Sequence, residues 1–391
     1  MIFNEYTLNE LCNIGSSKRI YLSEYVSEGI PFYRGKEIIE KSNGKNISSE
    51  LFISEERYEE IKNKFKVPKI GDILISAVGT LGKCWYVDEE KFYFKDGNLV
   101  WLNDFNIDII NPKFLYYKLT SKWFESIIDG ICIGSTQKAL TIEQLKKVTI
   151  KIPSIDIQNK VVNILDSINN KLKVNNEINN NLYELGNTIF KEWQSSCNET
   201  KTIGELSDNI IKYSKGEEQN VKLLNSSDVT EGIFIDAEIV PNIDLKGHFK
   251  KKFQKFDILY SEIRPRNKHY GYVLFDDYDT YIASTRLMVM RSNSMISSSL
   301  LYFSIMSSKV LEEFTLKTES RSGTFPQGNY EDMSKIVIPF SSKQEEITKQ
   351  LDVILEKINS NYCENKTLEQ LRDTLLPKLM NGEIDLDNIE I

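Results

Sequence analysis

The chain repeats its own sequence once, with the second copy about 186 residues after the first. Segment 71–76 (GDILIS) corresponds to 256–261 (FDILYS), and Pro153 lies 186 residues before Pro339, each proline closing a short apolar run. This offset is far longer than the roughly 20–50 residues of solenoid and propeller repeats. The sequence therefore predicts two related domains in tandem.

Each copy is followed by a long segment that is predicted to be helical. Residues 157–193 contain no proline, and their apolar residues recur at alternating steps of four and three. This spacing is typical of a helix with a coiled-coil face. One series contains Val161, Ile168, Asn175, Leu182 and Ile189, and the other contains Ile157, Ile164, Lys171, Ile178 and Leu185.

A second helix is predicted at the corresponding place in the second copy, over residues 343–376. Pro377 is expected to end or kink it, because proline cannot donate the helical hydrogen bond. A helix as long as the first spans on the order of 55 Å. Antiparallel pairing of the two would hold the two domains apart as a rigid spacer. The residues predicted to pair the helices are Ile164, Ile168, Asn175, Leu182, Ile354, Asn361 and Leu368.

Asn175 and Asn361 occupy corresponding positions near the middle of the two helices. If the helices pack antiparallel about a pseudo-twofold axis, these asparagines meet near the crossing point and fix the register of the pair. The alternative is that both are solvated residues in Asn-rich stretches. The sequence supports the two interpretations equally.

The overall charge argues against a domain that binds DNA by charge alone. The formal net charge is −8 and the pI is about 5.2, whereas such a domain is usually basic. Local basic faces and a basic partner both remain compatible with this composition. The scattered cysteines and the two histidines do not have the spacing of a disulfide framework or a zinc site.

No segment approaches the roughly 20 uninterrupted apolar residues of a membrane-spanning helix. The first residues also lack the basic start and apolar run of a secretory signal. We therefore expect a cytoplasmic protein.

The order of these motifs resembles the specificity subunit of type I restriction-modification systems over nearly the full chain. The resemblance rests on segments 71–74 (GDIL), 79–82 (GTLG), 134–138 (GSTQK), 145–153, the helix from Gln158 onward, and 376–384. Each motif alone is weak, but their duplicated order is specific. The second copy departs at 263–267 (IRPRN), which replaces the 79–82 turn, so contacts cannot be transferred from one half to the other.

The resemblance implies an α+β fold with duplicated target recognition domains, separated and followed by long antiparallel coiled-coil helices. The expected boundaries are 1–154 for the first recognition domain, 155–195 for the first helix, 196–340 for the second domain, 341–380 for the second helix and 381–391 for a tail. The implied function is recognition of a bipartite double-stranded DNA target. Two recognition domains held apart by the helices could contact major-groove segments about one helical turn of DNA apart.

The resemblance also implies partners that carry the chemistry. Two methyltransferase subunits would dock on the helices and bind S-adenosylmethionine, and a motor-nuclease subunit would be an optional further partner. The methyltransferase would extrude the target adenine and methylate its N6 atom. No cofactor or metal is assigned to this chain.

The chain itself shows no motif of a catalytic site. Segment 111–114 (NPKF) lacks the second proline of an amino-methyltransferase motif and is better explained as a helix cap. Segment 79–83 (GTLGK) lacks the spacing of a phosphate-binding loop. Asp257 with Glu262 could suggest a nuclease, yet the first copy has only Asp72. A protein-interaction scaffold is the main rival function, and a nuclease acting alone is a weaker one.

Residues predicted to contact DNA are polar or basic residues on loops, where they can reach phosphates and base edges. A solvated charge cluster is the alternative for the lysine run, whereas paired arginines around Pro265 favour DNA. A capping turn is the alternative for the Gly/Ser/Thr loops. The predicted set is Arg34, Lys36, Lys45, Ser135, Thr136, Gln137, Lys138, Lys250, Lys251, Lys252, Arg264, Arg266, Lys268, Arg321, Ser322, Thr324 and Gln327.

Overall fold

The structure, a computed structural model, describes all residues except 1, 43, 45–46, 48–50, 89–90, 132–138, 217, 236, 238, 244, 246, 320–326 and 387–391. Its contacts cluster in two compact units. Unit 1 comprises Met1–Leu172 and Thr367–Ile391, and unit 2 comprises Lys173–Lys366. Each unit holds one copy of the repeat and part of both long helices. The predicted α+β class, with duplicated domains and two long helices, is confirmed.

In the described part of the first copy, ten short strands and six α-helices precede the first long helix. They are β1 (Asn4–Thr7), α1 (Leu8–Leu11), β2 (Asn13–Gly15), β3 (Tyr25–Val26), β4 (Ile30–Tyr33), α2 (Gly35–Ser42), β5 (Phe52–Ile53), α3 (Glu55–Lys64), β6 (Ile73–Ser76), β7 (Cys84–Tyr86), β8 (Tyr93–Phe94), β9 (Leu99–Asn103), α4 (Pro112–Leu119), α5 (Lys122–Ile131), α6 (Ile142–Lys146), β10 (Thr149–Ile152) and the long α7 (Ile155–Ser196).

The second copy follows the same plan and ends in the second long helix. Its elements are β11 (Glu199–Thr202), α8 (Ile203–Leu206), β12 (Ser207–Asn209), β13 (Asn220–Leu224), β14 (Val229–Thr230), β15 (Ile233–Phe234), β16 (Ile239–Pro241), β17 (Phe249–Lys251), β18 (Ile258–Ser261), β19 (Tyr270–Tyr272), β20 (Tyr281–Ser284), β21 (Leu287–Ser292), α9 (Ser298–Ile305), α10 (Ser308–Glu319), α11 (Tyr330–Ser334), β22 (Val337–Phe340) and the long α12 (Glu345–Met380).

One four-stranded sheet has the same topology in both copies. The order β2-β9-β6-β7 in unit 1 corresponds to β12-β21-β18-β19 in unit 2, with β6 and β18 in central positions. A two-stranded antiparallel ribbon joins the first and last strands of each copy, β1 with β10 and β11 with β22. β6 and β18 are buried along their whole length. Buried strands of this kind need apolar residues on both faces, which explains the ILIS and ILYS sequences.

A glutamine at the start of each long helix attaches the helix to its domain. In unit 1, Gln158 accepts a hydrogen bond from the backbone N–H of Asn111 at 2.9 Å and donates to the carbonyl oxygen of Ile109 at 2.8 Å. In unit 2, Gln344 makes the same pair of bonds with Ser297 and Met295, at 3.2 and 2.6 Å. Asn111 also caps α4 as predicted, with its side chain accepting from the N–H of Lys113.

Inside unit 2, the ends of α7 and α12 pack antiparallel through a ladder of buried amides. Asn175 donates to Asn365 at 2.8 Å and to Glu364 at 2.9 Å, while Asn361 donates to Asn179 at 2.7 Å. Asn175 and Asn361 are buried, so the solvated interpretation is wrong. They do not contact each other as the symmetric alignment suggested. Each bonds an asparagine one helical turn from the predicted partner.

One of the two predicted apolar series on α7 is displaced by one residue. The buried stripe runs through Val161, Leu165, Ile168, Leu172, Asn175, Asn179 and Gly186. Lys171, Ile178 and Leu185, which were predicted to lie in the seam, are exposed. The displacement follows from close packing at Gly186, where a Cβ atom would lie 2.6 Å from Cζ of Phe303.

The remaining predicted helix-pairing residues differ in burial. Ile168 and Ile354 are buried, whereas Ile164, Leu182 and Leu368 are half-buried. Pro377 lies inside α12, which continues to Met380. It therefore does not end the helix at residue 376.

The end of α12 and Leu386 belong to the apolar core of unit 1. Leu379, Met380 and Leu386 belong to the same apolar core as the start of α7. The ammonium of Lys118 donates to the carbonyl oxygen of Met380 at 2.9 Å, and burial lowers the pKa of this lysine. Among the described residues, no helix is long and apolar enough to span a bilayer.

Candidate nucleic-acid interface

The loops that follow β6 and β18 have the same backbone framework in both units. The N–H of Ala77 donates to the carbonyl oxygen of Asn98 at 2.8 Å, and the N–H of Glu262 donates to that of Arg286 at 2.8 Å. Gly79 and Arg264, at corresponding positions of the two loops, then both have a positive φ, of +79° and +47°. Two equivalent loops of the repeat therefore carry different side chains on one scaffold.

Each of these loops is joined to the segment that leaves the Gly/Ser/Thr loop. Val78 forms a β-bridge with Ala139, and Ile263 forms one with Gln327. Next to these bridges, Leu140 donates to the carbonyl oxygen of Ala77 and Gly328 to that of Glu262. The fold thus brings Ala139 and Gln327 to the loops that follow β6 and β18. Gln327, a predicted DNA-contact residue, is exposed at this junction.

Buried aspartates hold the strands that precede these loops. Asp72 accepts hydrogen bonds from the indole N–H of Trp101 at 2.8 Å and the backbone N–H of Lys69 at 2.9 Å. Burial raises the pKa of Asp72. In unit 2, Asp257 instead forms a bidentate ion pair with Arg291 at 2.7 and 2.8 Å. Asp257 is therefore a structural residue, which removes the basis for the nuclease interpretation.

In unit 1, an open cleft of about 610 Å³ lies beside the first loop. Its lining includes Arg34, Lys36, Gly79, Thr80 and Asn98. The cleft brings two predicted cations to the glycine turn. Arg34 also pairs with Glu37 at 2.7 Å; burial opposes ionisation of Glu37, but the hydrogen bonds from Arg34 lower its pKa overall. This pairing fixes the position of the guanidinium beside the cleft.

A second open cleft, of about 760 Å³, adjoins the first. It is lined by Arg19, Tyr21, Leu22 and Lys95 among others, and Asn98 lines both clefts. Sequence analysis did not select these residues, because no motif marks them. Tyr21 and Leu22 are exposed apolar side chains beside two cations. Apolar groups next to cations can contact thymine methyl groups and phosphates respectively.

In unit 2, the basic loop 264–268 is exposed and tightly turned. Arg264 and Lys268 both have left-handed backbones, and a single 3-10 turn from Pro265 to Asn267 separates them. Arg266 pairs with Glu319 at 3.0 Å, and Lys268 pairs with Glu231 at 2.6 Å. Exposed pairs of this kind contribute only about 0–1 kcal/mol. They can therefore be exchanged for contacts to DNA phosphates with little loss.

The predicted lysine run separates into residues with different roles. Lys250 is exposed. Lys251 is buried, and its ammonium bonds the carbonyl oxygen of Leu287 at 2.7 Å and the carboxylate of Glu262 at 3.3 Å. Lys252 pairs with Glu218 at 2.8 Å, and this hydrogen bond lowers the pKa of Glu218. We therefore withdraw Lys251 and Lys252 as phosphate contacts, because the fold itself uses both ammonium groups.

The other predicted contact residues lie outside the described residues. They are Lys45, Ser135, Thr136, Gln137, Lys138, Arg321, Ser322 and Thr324. The described part of the chain contains no group of three or more His, Cys, Asp or Glu side chains arranged to hold a metal ion.

Comparison with known proteins gives a consistent result over most of the chain. The family described as "Type I restriction modification DNA specificity domain" matches twice, at residues 3–184 and 197–370. These two matches correspond to the two copies of the repeat.

Individual relatives and solved structures are also similar to this chain. The specificity subunit of the type I restriction enzyme HindI from Haemophilus influenzae is 37% identical over 179 residues, which is 44% of this chain and 39% of that protein. The MjaIX specificity subunit from Methanocaldococcus jannaschii is 23% identical over 96% of this chain and 91% of its own length. The S subunit of a type I restriction-modification system from M. genitalium has the same fold, with a TM-score of 0.62 at 16% identity over 97% of this chain and 96% of its own.

Proposed function

Because the chain belongs to the family of type I restriction-modification DNA specificity domains, we propose that it is the DNA sequence-recognition subunit of such a system. It reads a bipartite double-stranded target, with one half-site for each unit. It has no catalytic role of its own. Because it would act on DNA inside the cell, we expect it to be cytoplasmic.

One observation carries this proposal: two equivalent loops with a shared backbone framework present different side chains. Unit 1 presents Gly79 and Thr80 where unit 2 presents Arg264 and Pro265. A protein that bound two identical half-sites would have no reason to differ there. Different side chains on one scaffold suit two half-sites of different sequence, since base edges are read by individual side chains.

Local charge supports DNA binding despite the acidic whole. Arg34 and Lys36 line one cleft of unit 1, and Arg19 and Lys95 line the adjoining one. In unit 2, Lys250, Arg264 and Arg266 are exposed. Cations on these surfaces can neutralise phosphates and release counterions, which is the main source of sequence-independent affinity. The remaining acidic surface is then available to partners or solvent.

Two exposed leucines on the long helices are suited to binding the methyltransferase subunits. Leu185 on α7 is 49% exposed and Leu371 on α12 is 45% exposed. They are 186 residues apart, which is the offset of the repeat. Val174 and Ile178 extend the exposed apolar surface of α7. Because apolar anchors often lie at the centre of interfaces, we place one methyltransferase subunit at each leucine, with S-adenosylmethionine bound by those partners. A motor-nuclease subunit would be an optional addition.

Docking at the leucines can be tested by co-purification. Leu185→Asp and Leu371→Asp should each reduce the methyltransferase bound per chain from two copies to one, and the double variant should retain none. Asn180→Asp, an exposed change on the same helix, is the matched control. Full retention by the double variant would contradict this docking surface.

Recognition is tested by co-expressing the chain with its methyltransferase in a host that lacks N6-adenine methylation. Sequencing should reveal N6-methyladenine at one motif of two short half-sites with a fixed gap. The methyltransferase without this chain should leave the genome unmethylated. Methylation that is absent, or independent of the chain, would contradict the proposed function.

The acidic pI favours one rival function, a protein-interaction scaffold. The dependence of DNA affinity on salt separates the two. Phosphate contacts make the logarithm of the binding constant fall linearly with the logarithm of salt concentration. A scaffold would show no sequence-preferring DNA binding at any salt concentration.

A further inference from the structure

Asn98 and Arg286 occupy the same place in the two units. The backbone carbonyl oxygen of each accepts an equivalent hydrogen bond, from the N–H of Ala77 in unit 1 and from the N–H of Glu262 in unit 2, both at 2.8 Å. Each also lies directly before the strand that pairs with the central strand, β9 in one unit and β21 in the other. Neither residue belongs to a motif that the sequence analysis selected. Their equivalence is visible only from the backbone hydrogen bonds.

In each unit this position adjoins the surface proposed to meet DNA. Asn98 lines both clefts of unit 1, between the cations Arg34 and Lys36 on one side and Arg19 and Lys95 on the other. The side chain of Arg286 is exposed, and its backbone carbonyl oxygen accepts a hydrogen bond from the N–H of Glu262, which lies two residues before Arg264. Among the described residues, no side chain engages the Asn98 amide or the Arg286 guanidinium in a hydrogen bond or ion pair.

The backbone at Arg286 is held firmly. The N–H of Arg286 donates to the hydroxyl of Ser284 at 3.3 Å, and the N–H of Thr285 donates to the carbonyl oxygen of His248 at 2.7 Å. The next residue, Leu287, accepts from the buried ammonium of Lys251. A side chain on a fixed backbone loses less entropy on binding than one on a mobile loop. Lys251 thus helps to hold the backbone next to Arg286, through its hydrogen bond to Leu287.

We infer that Asn98 and Arg286 are base-reading residues of the two half-sites, with Asn98 selecting an adenine and Arg286 a guanine. This inference rests on the proposed function. The assignment follows from hydrogen-bond geometry in the major groove. An asparagine amide can both accept from N6 and donate to N7 of adenine, while an arginine guanidinium donates two bonds to O6 and N7 of guanine. One position of the repeated scaffold thereby reads a different base in each half-site.

The test uses the complex of the full chain with its methyltransferase and a pool of duplexes with randomised sequence. The wild-type complex should select a bipartite motif. Asn98→Ala should remove the preference for one adenine in one half-site, and Arg286→Ala should remove the preference for one guanine in the other. Preference for the selected base should fall about 10- to 100-fold, as for a lost bidentate contact.

Two further variants separate base reading from phosphate binding and from misfolding. Arg286→Gln removes the charge and the guanidinium but keeps an amide, which pairs with adenine rather than guanine, so it should shift the preference at that position away from guanine. If Arg286 only binds a phosphate, Arg286→Ala and Arg286→Gln will weaken binding to all sequences and keep the wild-type motif, which overturns the inference. Lys250→Ala should weaken binding to all sequences equally and leave the motif unchanged.

The outcomes also separate this inference from the proposed function. If the wild-type complex selects a motif and both alanine variants select the same motif, the inference is wrong and the proposed function stands. If the wild-type complex selects no motif, both fail. Thermal unfolding of each variant checks that it is folded; Arg286 is exposed and Asn98 is half-buried.

Discussion

Asn175 and Asn365 form a direct amide-to-amide hydrogen bond of 2.8 Å between the two long helices inside unit 2. Both side chains are buried, and Asn365 also donates to Asn176 at 2.9 Å. When a buried amide is left without its hydrogen-bond partner, the free energy of unfolding falls by about 1–3 kcal/mol. We therefore expect Asn365→Ala to destabilise the chain by about that amount in urea unfolding.

Two controls test whether the amide ladder acts through its hydrogen bonds. Asn180→Ala, an exposed change on α7, should alter stability by less than about 0.5 kcal/mol. Replacing Asn175 and Asn365 together by leucine should restore much of the stability, because paired apolar groups can replace a buried polar pair. If Asn365→Ala behaves like the Asn180 control, the ladder does not stabilise the helix pair.

Two glycines near the first loop should respond differently to substitution by alanine. Both have positive φ, but a Cβ at Gly82 would lie 2.0 Å from Cδ1 of the buried Ile128, whereas Gly79 has open space. Gly79→Ala should lower the free energy of unfolding by only about 1–2 kcal/mol, which is the cost of a left-handed backbone for alanine. Gly82→Ala adds an overpacking penalty of about 1–3 kcal/mol. Equal midpoints in urea unfolding would contradict the close contact.

Asp72 should make the fold of unit 1 sensitive to pH. Burial raises its pKa in the folded state, so its contribution is most favourable at low pH and is lost as the pH rises through that raised pKa. Both of its hydrogen-bond donors meet one oxygen, Oδ2, which the amide oxygen of asparagine can replace. Asp72→Asn should therefore raise the melting temperature at pH 7, and the gain should shrink towards pH 4.

The equivalent substitution in unit 2 is the control for Asp72. Asp257 is ion-paired to Arg291 through both oxygens. Asp257→Asn should lower the melting temperature at pH 7, because it leaves a partly buried guanidinium without its counter-charge. A loss of stability at pH 7 in Asp72→Asn would show that its carboxylate form is favoured by the fold.

Arg264→Gly should separate DNA recognition from stability. Arg264 holds φ of +47° where the other repeat has Gly79. Glycine relieves the left-handed strain of about 1–2 kcal/mol but adds about 0.5–1 kcal/mol of backbone entropy in the unfolded chain. The variant should thus stay within about 1 kcal/mol of wild type in urea unfolding. DNA affinity of the methyltransferase complex should nevertheless fall, as measured by fluorescence anisotropy with the selected duplex; unchanged affinity would exclude Arg264 from the interface.

Lys250 and Lys251 are adjacent in sequence but should have opposite mutant phenotypes. Lys250→Ala should reduce the slope of log affinity against log salt by about 1, with stability unchanged. Lys251→Ala removes the ammonium that bonds Glu262 and Leu287, and should destabilise the chain by about 2–3 kcal/mol. A reduced salt slope in a folded Lys251→Ala variant would restore Lys251 as a phosphate contact.

The repeated sequence determined the duplication, the α+β class, the two long helices and the family. These features depend on local patterns, such as the buried ILIS and ILYS strands and the three-and-four spacing of α7. Each pattern favours one type of element, because helices and strands bring residues to a common face at different spacings. The predicted cap at Asn111 follows from the same local chemistry.

Only the tertiary structure decided which of several similar side chains are used by the fold. Lys250 and Lys251 have the same chemistry, and only the position of Glu262 and Leu287 distinguishes them. The seam of α7 passes through Asn179 and Gly186 rather than Ile178 and Leu185, because the backbone at Gly186 packs against Phe303. Asn98 and Arg286 correspond through backbone hydrogen bonds that no side-chain pattern encodes. Local patterns fix which elements form, whereas partners distant in sequence fix which polar groups remain available for DNA.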